Sequence, residues 1–307
     1  MEAVERRDYA GAADLLLMQL AVRRTWTPRS GWHIGDLAWQ RTAIPGQQST
    51  WRTSLWIQDR QVVAWGWAEL PGHLEWYVDP GRARLASAVL DWFDGVATGD
   101  ERSLTAMETD AHLIAAAEQA GFRAAADTPF FEHCHLELGE ALPRPDLPDG
   151  YRVRAVREDE ADARAAVHRA AWRPGRIGEL LVPPVDLGTG ESSVTATSYA
   201  EVMKSWPYRH DLDQVVEAAD GTLVAFALGW LDDVNRAGEL EPVGTDPEHG
   251  RRGLGAAASL ACLHALRAAG ATRAVVYPRG DPAYPVARRL YDGLGFRPVA
   301  RSVTLTR

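Results

Sequence analysis

The sequence predicts an α+β protein with two similar tandem units, each a mixed, mostly antiparallel sheet flanked by helices. The order strand, helix, strands, helix, strand, helix, strand occurs twice along the 307 residues, and this internal repeat is the main observation. Strand-like runs alternate with segments of helical composition in both halves. The corresponding segments are QVVAWGWAEL from Gln61 and TLVAFALGWL from Thr222, LEWYVDP from Leu74 and LEPVGTDP from Leu240, and the Gly-Phe helix ends at Phe122 and Phe296.

A proline-rich stretch separates the two halves. Residues 138–150, LGEALPRPDLPDG, contain three prolines and several charges but no apolar period, which predicts an extended linker. We therefore expect one domain at residues 1–137 and a second at residues 151–307.

Composition narrows the class of protein. Hydrophobic residues make up 46% of the chain and charged residues 24%, enough to build two cores. No run approaches the roughly 18 apolar residues that a membrane span needs, and the N-terminus lacks a secretory pattern, so the expected location is the cytoplasm. The two cysteines, Cys134 and Cys262, are expected to be reduced and buried. A net charge of −9 argues against nucleic-acid binding and mildly favours amines as partners.

The two halves differ at one turn. The C-terminal half has GRRGLG at Gly250–Gly255, directly before a helix predicted at Ala256–Ala269, whereas the N-terminal half keeps only Gly81. Glycines let the backbone turn tightly with its amides outward, and a helix N-terminus adds free N–H groups and a positive dipole end. The pattern predicts a socket for a phosphate or pyrophosphate, with Arg251 and Arg252 adding charge at its rim. On the glycines alone, a plain strand-to-helix turn is the alternative.

Two motifs carry a family resemblance. The segment VGTDPEHGRRGLGAA, Val243–Ala257, resembles the acetyl-CoA-binding signature of the GNAT superfamily of N-acetyltransferases, Val-x-Pro followed by [Gln/Arg]-x-x-Gly-x-[Gly/Ala]. The later stretch ARRLYDGLGFRPV, Ala287–Val299, is similar to the second signature of the family, A-x-x-L-Y-x-x-x-G-F. Two signatures in the right order, about 40 residues apart, are more specific than either alone. The N-terminal half resembles the fold only in outline and lacks the glycine loop, which implies a degenerate copy.

The resemblance implies an acetyl-CoA site in the C-terminal half. The strand from Glu239 to Thr245 would splay from its neighbour, backbone groups of Val243 and Thr245 would pair with the pantetheine arm, and the amides of Gly250–Gly255 would hold the pyrophosphate. The residues expected to bind acetyl-CoA are Val243, Gly244, Thr245, Gly250, Arg251, Arg252, Gly253, Leu254, Gly255, Ala256 and Tyr284.

Three positions depart from the family pattern. Gly250 stands at the usual Gln/Arg position of the loop, and Arg251 is expected to supply the charge instead. Thr245 replaces the usual aliphatic residue. Tyr284 stands where the second signature often has Asn, which puts one usual cofactor contact in doubt.

Acetyl transfer to an amine requires an acid for the leaving thiolate and a base for the ammonium. The resemblance implies that Tyr291 is the acid, and a packing tyrosine beside Phe296 is the alternative. Glu239 and Glu241 share one face of a strand of period two, so either is a candidate base; a solvated strand face is nearly as plausible. Pro242 cannot donate to the ladder and therefore predicts a bulge or an edge.

The predicted activity is acetyl transfer from acetyl-CoA to a primary amine of a small molecule or peptide by a monomer or homodimer, with no metal, nucleic acid or membrane partner. His133 and His135 share a strand face, but no second ligand pair has suitable spacing for a metal. Residues 174–198 are polar and predict a loop over the acceptor site. The alternative functions are a non-catalytic acyl-CoA or small-ligand sensor on the same fold, and an interaction module using the tryptophan-rich first half.

Overall fold

The structure is a computed structural model that describes residues 3–126, 128–139, 141–181, 183–188, 190, 192–280, 282 and 284–307. The chain forms two compact units. The first unit comprises the chain up to Leu37 together with Gly46–His133 and Pro298–Arg307, and the second comprises Ala38–Pro45 and Cys134–Arg297.

The first unit contains a mixed sheet in the order β1-β2-β3-β4-β5-β13, with the two-residue strand β6 paired to β13 off this path. Its only parallel pair among the described residues is β4 with β5. The strands are β1 (Glu5–Asp8), β2 (Trp51–Gln58), β3 (Gln61–Glu69), β4 (His73–Val78), β5 (Ser103–Met107), β6 (Arg123–Ala124) and β13 (Arg297–Thr306).

Helices cover both faces of this first sheet. One core packs α3 and α4 against inward-facing residues such as Leu74, Trp76 and Leu104. A second core, rich in tryptophan, packs α1 against Trp65 and Trp67. The helices are α1 (Ala12–Thr25), α2 (Ile34–Thr42, whose residues from Ala38 belong to the second unit), α3 (Leu85–Val96) and α4 (Ala111–Gln119).

The second unit repeats the same strand order, β8-β9-β10-β11-β12-β7. Here β11 and β12 form the parallel pair, and the other pairings are antiparallel. The strands are β7 (Glu132–Glu137, from Cys134 in this unit), β8 (Tyr151–Ala155), β9 (Asp213–Ala218), β10 (Leu223–Asp232), β11 (Ala237–Thr245) and β12 (Arg273–Val276).

Strand β10 lies at the centre of the second unit and is buried along its whole length. The long helix packs against one face through Leu263 and Leu266, and the opposite face packs against residues such as Ala165 and Tyr199. The helices are α5 (Ala161–Ala171), α6 (Pro174–Leu180), α7 (Ala196–Val202), α8 (Leu254–Ala268) and α9 (Val286–Leu294).

The predicted α+β class with a mixed sheet and helices is confirmed, but the units are not contiguous in sequence. Strand β7, from Cys134, was expected in the first domain but belongs to the second unit. Strand β13, from Pro298, was expected in the second domain but belongs to the first unit. Strand pairing partners are set by non-local contacts that periodicity does not report. The predicted linker, apart from Glu140, which lies outside the described residues, has no helix or strand, and His264 and Arg267 of α8 hydrogen-bond to its carbonyls.

The predicted loop at 174–198 was wrong in part. Residues Pro174–Leu180 form α6, and α7 begins at Ala196 after a capping box at Thr195 and Ser198. Pro174 occupies the first helical position, where its fixed φ favours helix and its missing N–H costs nothing. Val182, Thr189 and Glu191 of this segment lie outside the described residues.

Glycines in β10 and β11 let α8 lie close to the sheet, and this contact is testable. A Cβ added at Gly238 would lie 2.6 Å from Leu266 Cδ1, so we expect Gly238→Val to destabilise the fold by about 1–3 kcal/mol through overpacking. The free energy of unfolding in urea measures this. As the control, Gly293→Ala in α9, where an added Cβ meets no atom within 4 Å, should raise stability slightly; equal effects of the two substitutions would contradict the close packing.

Candidate functional site

Strand β11 leaves its parallel neighbour partway along its length. The ladder with β12 joins Ala237, Gly238 and Glu239 to Arg273, Ala274 and Val275, whereas β11 continues to Thr245 along β10. Residues 240–245 therefore extend beyond the paired part of β12, in the stretch where the sequence resemblance implied a splay. Such an opening at the carboxyl end of a strand is a common place for a ligand.

A β-bulge lies at the start of this opening. Ala227 pairs with Val243 and Gly229 pairs with Leu240, so Glu241 and Pro242 together oppose the single residue Leu228. The bulge predicted from Pro242 is thus confirmed.

The bulge sets which face each residue of β11 occupies. Leu240 and Val243 both pack into the core beside α8. Gly244 faces the opposite side, where an added Cβ would lie 2.5 Å from Phe226 Cζ and 2.9 Å from Ala171 Cβ. Gly244 therefore serves close packing, and only its backbone is open to a ligand.

The glycine turn after β11 presents free amides. A short 3₁₀ turn at Pro247–His249 is closed by the Gly250 N–H, which donates to Pro247 O at 3.0 Å, so this amide of the predicted set is already used. Arg251 and Gly253 have left-handed φ values of 58° and 78°. The helix α8 begins at Leu254, and the first N–H to donate along it is that of Ala257, to Gly253 O.

The first three residues of α8 consequently have amides without partners inside the helix, as at every helix N-terminus. These residues are Leu254, Gly255 and Ala256. The absence of a side chain at Gly255 lets this first turn approach β11, because a Cβ there would lie 2.8 Å from Thr245 Oγ1. The amides and the helix dipole can bind an anion beside the end of β11.

Positive charge surrounds the turn. Arg251 and Arg252 are exposed, and neither forms an ion pair with any described residue. Arg252 Nη1 donates to Tyr151 Oη at 2.6 Å, and that hydroxyl also lies 2.9 Å from His249 Nδ1. The partner of Arg252 is a hydroxyl group and not a carboxylate, so the bond orients Arg252 without forming an ion pair.

Two further arginines connect the α5–α6 segment to this turn. Arg173 pairs with Asp246 at 2.7 Å, and Arg176 pairs with Glu248 at 2.9 Å. Both carboxylates belong to the 3₁₀ turn or its cap, so these pairs fix the turn relative to α6.

The two candidate bases differ in exposure. Glu239 is fully buried between Trp230 and Val275, its partners on the neighbouring strands, whereas Glu241 is only partly buried. Burial, and next the charge of Glu239, raise the pKa of Glu241 to about 8. A carboxyl group with this pKa exchanges its proton slightly above neutral pH and acts as a base once it is ionised.

Tyr291 lies on α9 and is 7% exposed. Its ring packs edge-on against Phe296 at 5.7 Å, as the alternative interpretation expected. Burial raises the pKa of Tyr291 well above its usual value, and the charge of Glu241 is the next cause, so the two groups are electrostatic neighbours. Tyr284, just before α9, is partly buried, and burial raises its pKa as well.

The structure thus groups Glu239, Glu241 and Tyr291 in one region of the second unit and places the glycine turn at the end of the same strand that carries both glutamates. Sequence reasoning missed Trp230, whose Nε1 donates to Glu241 O at 2.6 Å, and Tyr151 beside Arg252. No spacing pattern signals either residue, because both act on partners distant in sequence or across a bulge.

The described residues contain no group of three His, Cys, Asp or Glu side chains arranged to hold a metal ion. In the same part of the chain, no helix has both the length and the apolar character needed to cross a bilayer.

Comparison with known proteins identifies a family match within the second half of the chain and relatives that match about half of its length. Residues 189–296 match the sequence model of the acetyltransferase (GNAT) family. A mycothiol acetyltransferase from Nocardioides sp. is 31% identical over 173 residues, which cover 52% of this chain and 54% of that protein. A mycothiol acetyltransferase from Beutenbergia cavernae is 41% identical over 164 residues, covering 52% of this chain and 50% of that protein. The matched region spans about half the length of these curated relatives.

A solved structure resembles the whole chain. A tandem GNAT protein from the clavulanic acid biosynthesis pathway superposes with a TM-score of 0.62 at 18% identity, covering 99% of this chain and 98% of its own. At this identity the likeness establishes the fold alone. Together, these comparisons show that the chain is similar, over part of its length, to acetyltransferases of the GNAT family.

The raised pKa of Glu241 makes a prediction about stability. Because this carboxyl group holds its proton more tightly when folded, with a pKa of about 8 against an ordinary 4.5, unfolding releases a proton between these values. We expect the free energy of unfolding of the wild type, relative to Glu241→Gln, to fall as pH rises from about 5 to 8. Urea denaturation of both proteins across this range measures the difference.

The matched control is Glu248→Gln. Arg176 lowers the pKa of Glu248, so this carboxylate is ionised in both folded and unfolded chains from pH 5 to 8, and its difference should stay flat. A flat difference for Glu241→Gln as well would show that Glu241 titrates normally.

Proposed function

We propose that this chain is an N-acetyltransferase whose second unit moves an acetyl group from acetyl-CoA to a primary amine of a small molecule or peptide. The observation that carries the proposal is the construction of β11. This strand holds Glu241, with a raised pKa and a charge that acts on Tyr291, and it ends a few residues later in a turn whose first helical amides have no partner inside the helix. The family match over residues 189–296 supports the same reaction.

The turn fits the diphosphate of acetyl-CoA. The phosphates of acetyl-CoA would accept hydrogen bonds from the amides of Leu254, Gly255 and Ala256. The charges of Arg251 and Arg252, which form no ion pair with any described residue, would lie beside them. The pantetheine arm would run along residues 240–245, where β11 lies beyond the paired part of β12. Acetyl-CoA would supply the thioester that the amine attacks.

Glu241 is the better candidate for the general base. Glu239 is fully buried, whereas Glu241 keeps access to the outside and its pKa of about 8 is closer to that of an ammonium ion. Glu239 would act indirectly, because its charge helps to raise the pKa of Glu241. Glu241 takes the proton that the amine loses on attack.

Tyr291 would donate to the sulfur that leaves. Burial keeps the phenol protonated, so it serves as a hydrogen-bond and proton donor throughout the neutral range. The developing negative charge on sulfur would then be neutralised by this proton, while the amine nitrogen keeps the acetyl group.

The first unit would be a degenerate copy that does not bind acetyl-CoA. Its β4–β5 ladder also stops early, at Leu74 and Leu104, but Trp76 is buried there and its Nε1 donates to Thr105 O at 2.9 Å. The indole thereby occupies the position where a pantetheine arm would need backbone partners. The first unit also has no phenol at the position of the proposed acid, because Ala117 stands five residues before Phe122 just as Tyr291 stands five residues before Phe296.

The turn of the first unit also lacks the anion site. Asp79 caps its 3₁₀ turn as Asp246 does in the second unit. Arg84, which precedes α3, has a helical φ of −59°, and no residue from Pro80 to Leu85 is left-handed. The chain runs from the 3₁₀ turn directly into α3 without the outward loop of amides.

The acceptor class is tested by release of free CoA thiol. The purified chain is incubated with acetyl-CoA and a panel of amines, amino acids, amino sugars and the des-acetyl precursor of mycothiol, chosen from the name of the relatives. Acetylated product from at least one amine supports the proposal. Tight acetyl-CoA binding without turnover on any amine would instead favour the sensor.

The roles of the acid and the base separate in single variants. We expect Tyr291→Phe and Glu241→Gln each to lower kcat by about 10²-fold or more while acetyl-CoA affinity stays nearly unchanged, because both groups act on the reacting atoms. Steady-state kinetics and calorimetry measure the two quantities. Glu239→Gln is the matched control for the base: it should lower the pKa of Glu241 and reduce kcat by less than Glu241→Gln does. A larger loss of kcat for Glu239→Gln would make Glu239 the base.

The glycine turn predicts a loss of affinity instead. Gly253 has a φ of 78° and open space around its Cβ position, so Gly253→Val strains the turn without clashing with protein atoms. We expect acetyl-CoA affinity to fall by about 10-fold or more, because the turn would no longer present its amides. Gly270→Val, at a φ of 106° past the end of α8, carries similar strain away from the turn and should bind normally; equal losses would argue against the turn.

A further inference from the structure

The bulge in β11 creates a backbone group that the sheet cannot satisfy. Two residues, Glu241 and Pro242, oppose Leu228, so the regular ladder of β10 and β11 is interrupted at Glu241. The carbonyl of Glu241 accepts its hydrogen bond from a side chain instead. The donor is Trp230 Nε1, at 2.6 Å.

Trp230 is suited to hold this carbonyl in place. It is fully buried, and it packs in a cluster with Trp39, Tyr199 and Leu228. The ring of Tyr208 lies edge-on against it at 6.2 Å. An indole enclosed in this way has little rotational freedom, so its N–H defines a direction for the partner carbonyl.

We propose that Trp230 is a positioning residue that fixes the backbone of Glu241 and so holds its carboxyl group beside Glu239 and Tyr291. The consequence for catalysis rests on the proposed function, whereas the positioning itself does not. Without the indole N–H, this partly buried carbonyl needs another donor, and the bulge rotates to reach one. The side chain of Glu241 then turns toward water.

The titratable groups that interact with the charge of Glu241 lie on two elements, β11 and α9. Glu239, on β11, raises the pKa of Glu241, and Tyr291, on α9, interacts with its charge. Trp230, from β10, adds a hydrogen bond but no charge. A change in the pKa of Glu241 on removing the indole therefore reports movement of the carboxyl group and not the loss of a neighbouring charge.

The test is an NMR titration of the full chain labelled with ¹³C at the glutamate carboxyl carbons. The Glu241 signal is assigned by its loss in Glu241→Gln. We expect Trp230→Phe, which keeps the aromatic ring but removes the N–H, to lower the pKa of Glu241 by at least about 1 toward the ordinary glutamate value. Trp39→Phe is the matched control, since it makes the same substitution in the same cluster without a bond to Glu241, and it should leave the titration unchanged.

A second measurement on the wild type covers the case in which Trp230→Phe does not fold. The Trp230 indole N–H signal should exchange slowly with solvent, and its chemical shift should follow the titration of Glu241. The proposal is overturned if the Trp230 indole N–H exchanges fast with solvent, or if its chemical shift does not change as Glu241 titrates. An unchanged Glu241 pKa in folded Trp230→Phe overturns it as well.

Kinetics separate this proposal from the proposed function. If Glu241 is the base, Trp230→Phe should lower kcat about 10-fold, leave KM for acetyl-CoA unchanged, and move the acidic limb of the kcat/KM profile to lower pH. If Glu241→Gln keeps full activity, the base assignment fails, and the NMR titrations still decide whether Trp230 positions the carboxyl group.

Discussion

The bulge at Glu241 and Pro242 is the constraint on which the rest of the site depends. A regular β11 would continue its alternation past Leu240 and would turn Val243 away from the core beside α8. With one extra residue, Leu240 and Val243 both stay in that core, and the strand can leave the ladder of β12 after Glu239. The same local irregularity thus keeps the core packed and lies where β11 runs past its ladder with β12.

Burial acts on the pKa values of Glu241 and Tyr291 in the same direction. The environment that keeps Tyr291 protonated also raises the pKa of Glu241, because both effects disfavour negative charge in a region of low dielectric. Glu239 strengthens the effect by adding a like charge nearby. The pKa values of Glu241 and Tyr291 are therefore raised by the same surroundings, and a change that admits water would lower both.

The local part of this design could be predicted from sequence, and the non-local part could not. The turn was predictable because Gly253 marks a left-handed backbone, and α8 because its composition favours a helix. Periodicity placed Glu239 and Glu241 on one strand but could not choose between them, since their exposure depends on neighbouring elements. The bond from Trp230 depends on a register shift in another strand, which no pattern in β11 reveals. The exchanged strands β7 and β13 were missed for the same reason.

The placement of residues 298–307 in the first unit has a consequence for biosynthesis. A ribosome makes β5 long before β13, with Cys134–Arg297, the larger segment of the second unit, translated between them. Until then one edge of β5 presents backbone groups that have no strand to pair with, and such an edge invites association with other chains. The nascent first unit therefore has to be protected or to stay loosely folded while the second is produced, and the two halves of the gene do not encode separable folding units.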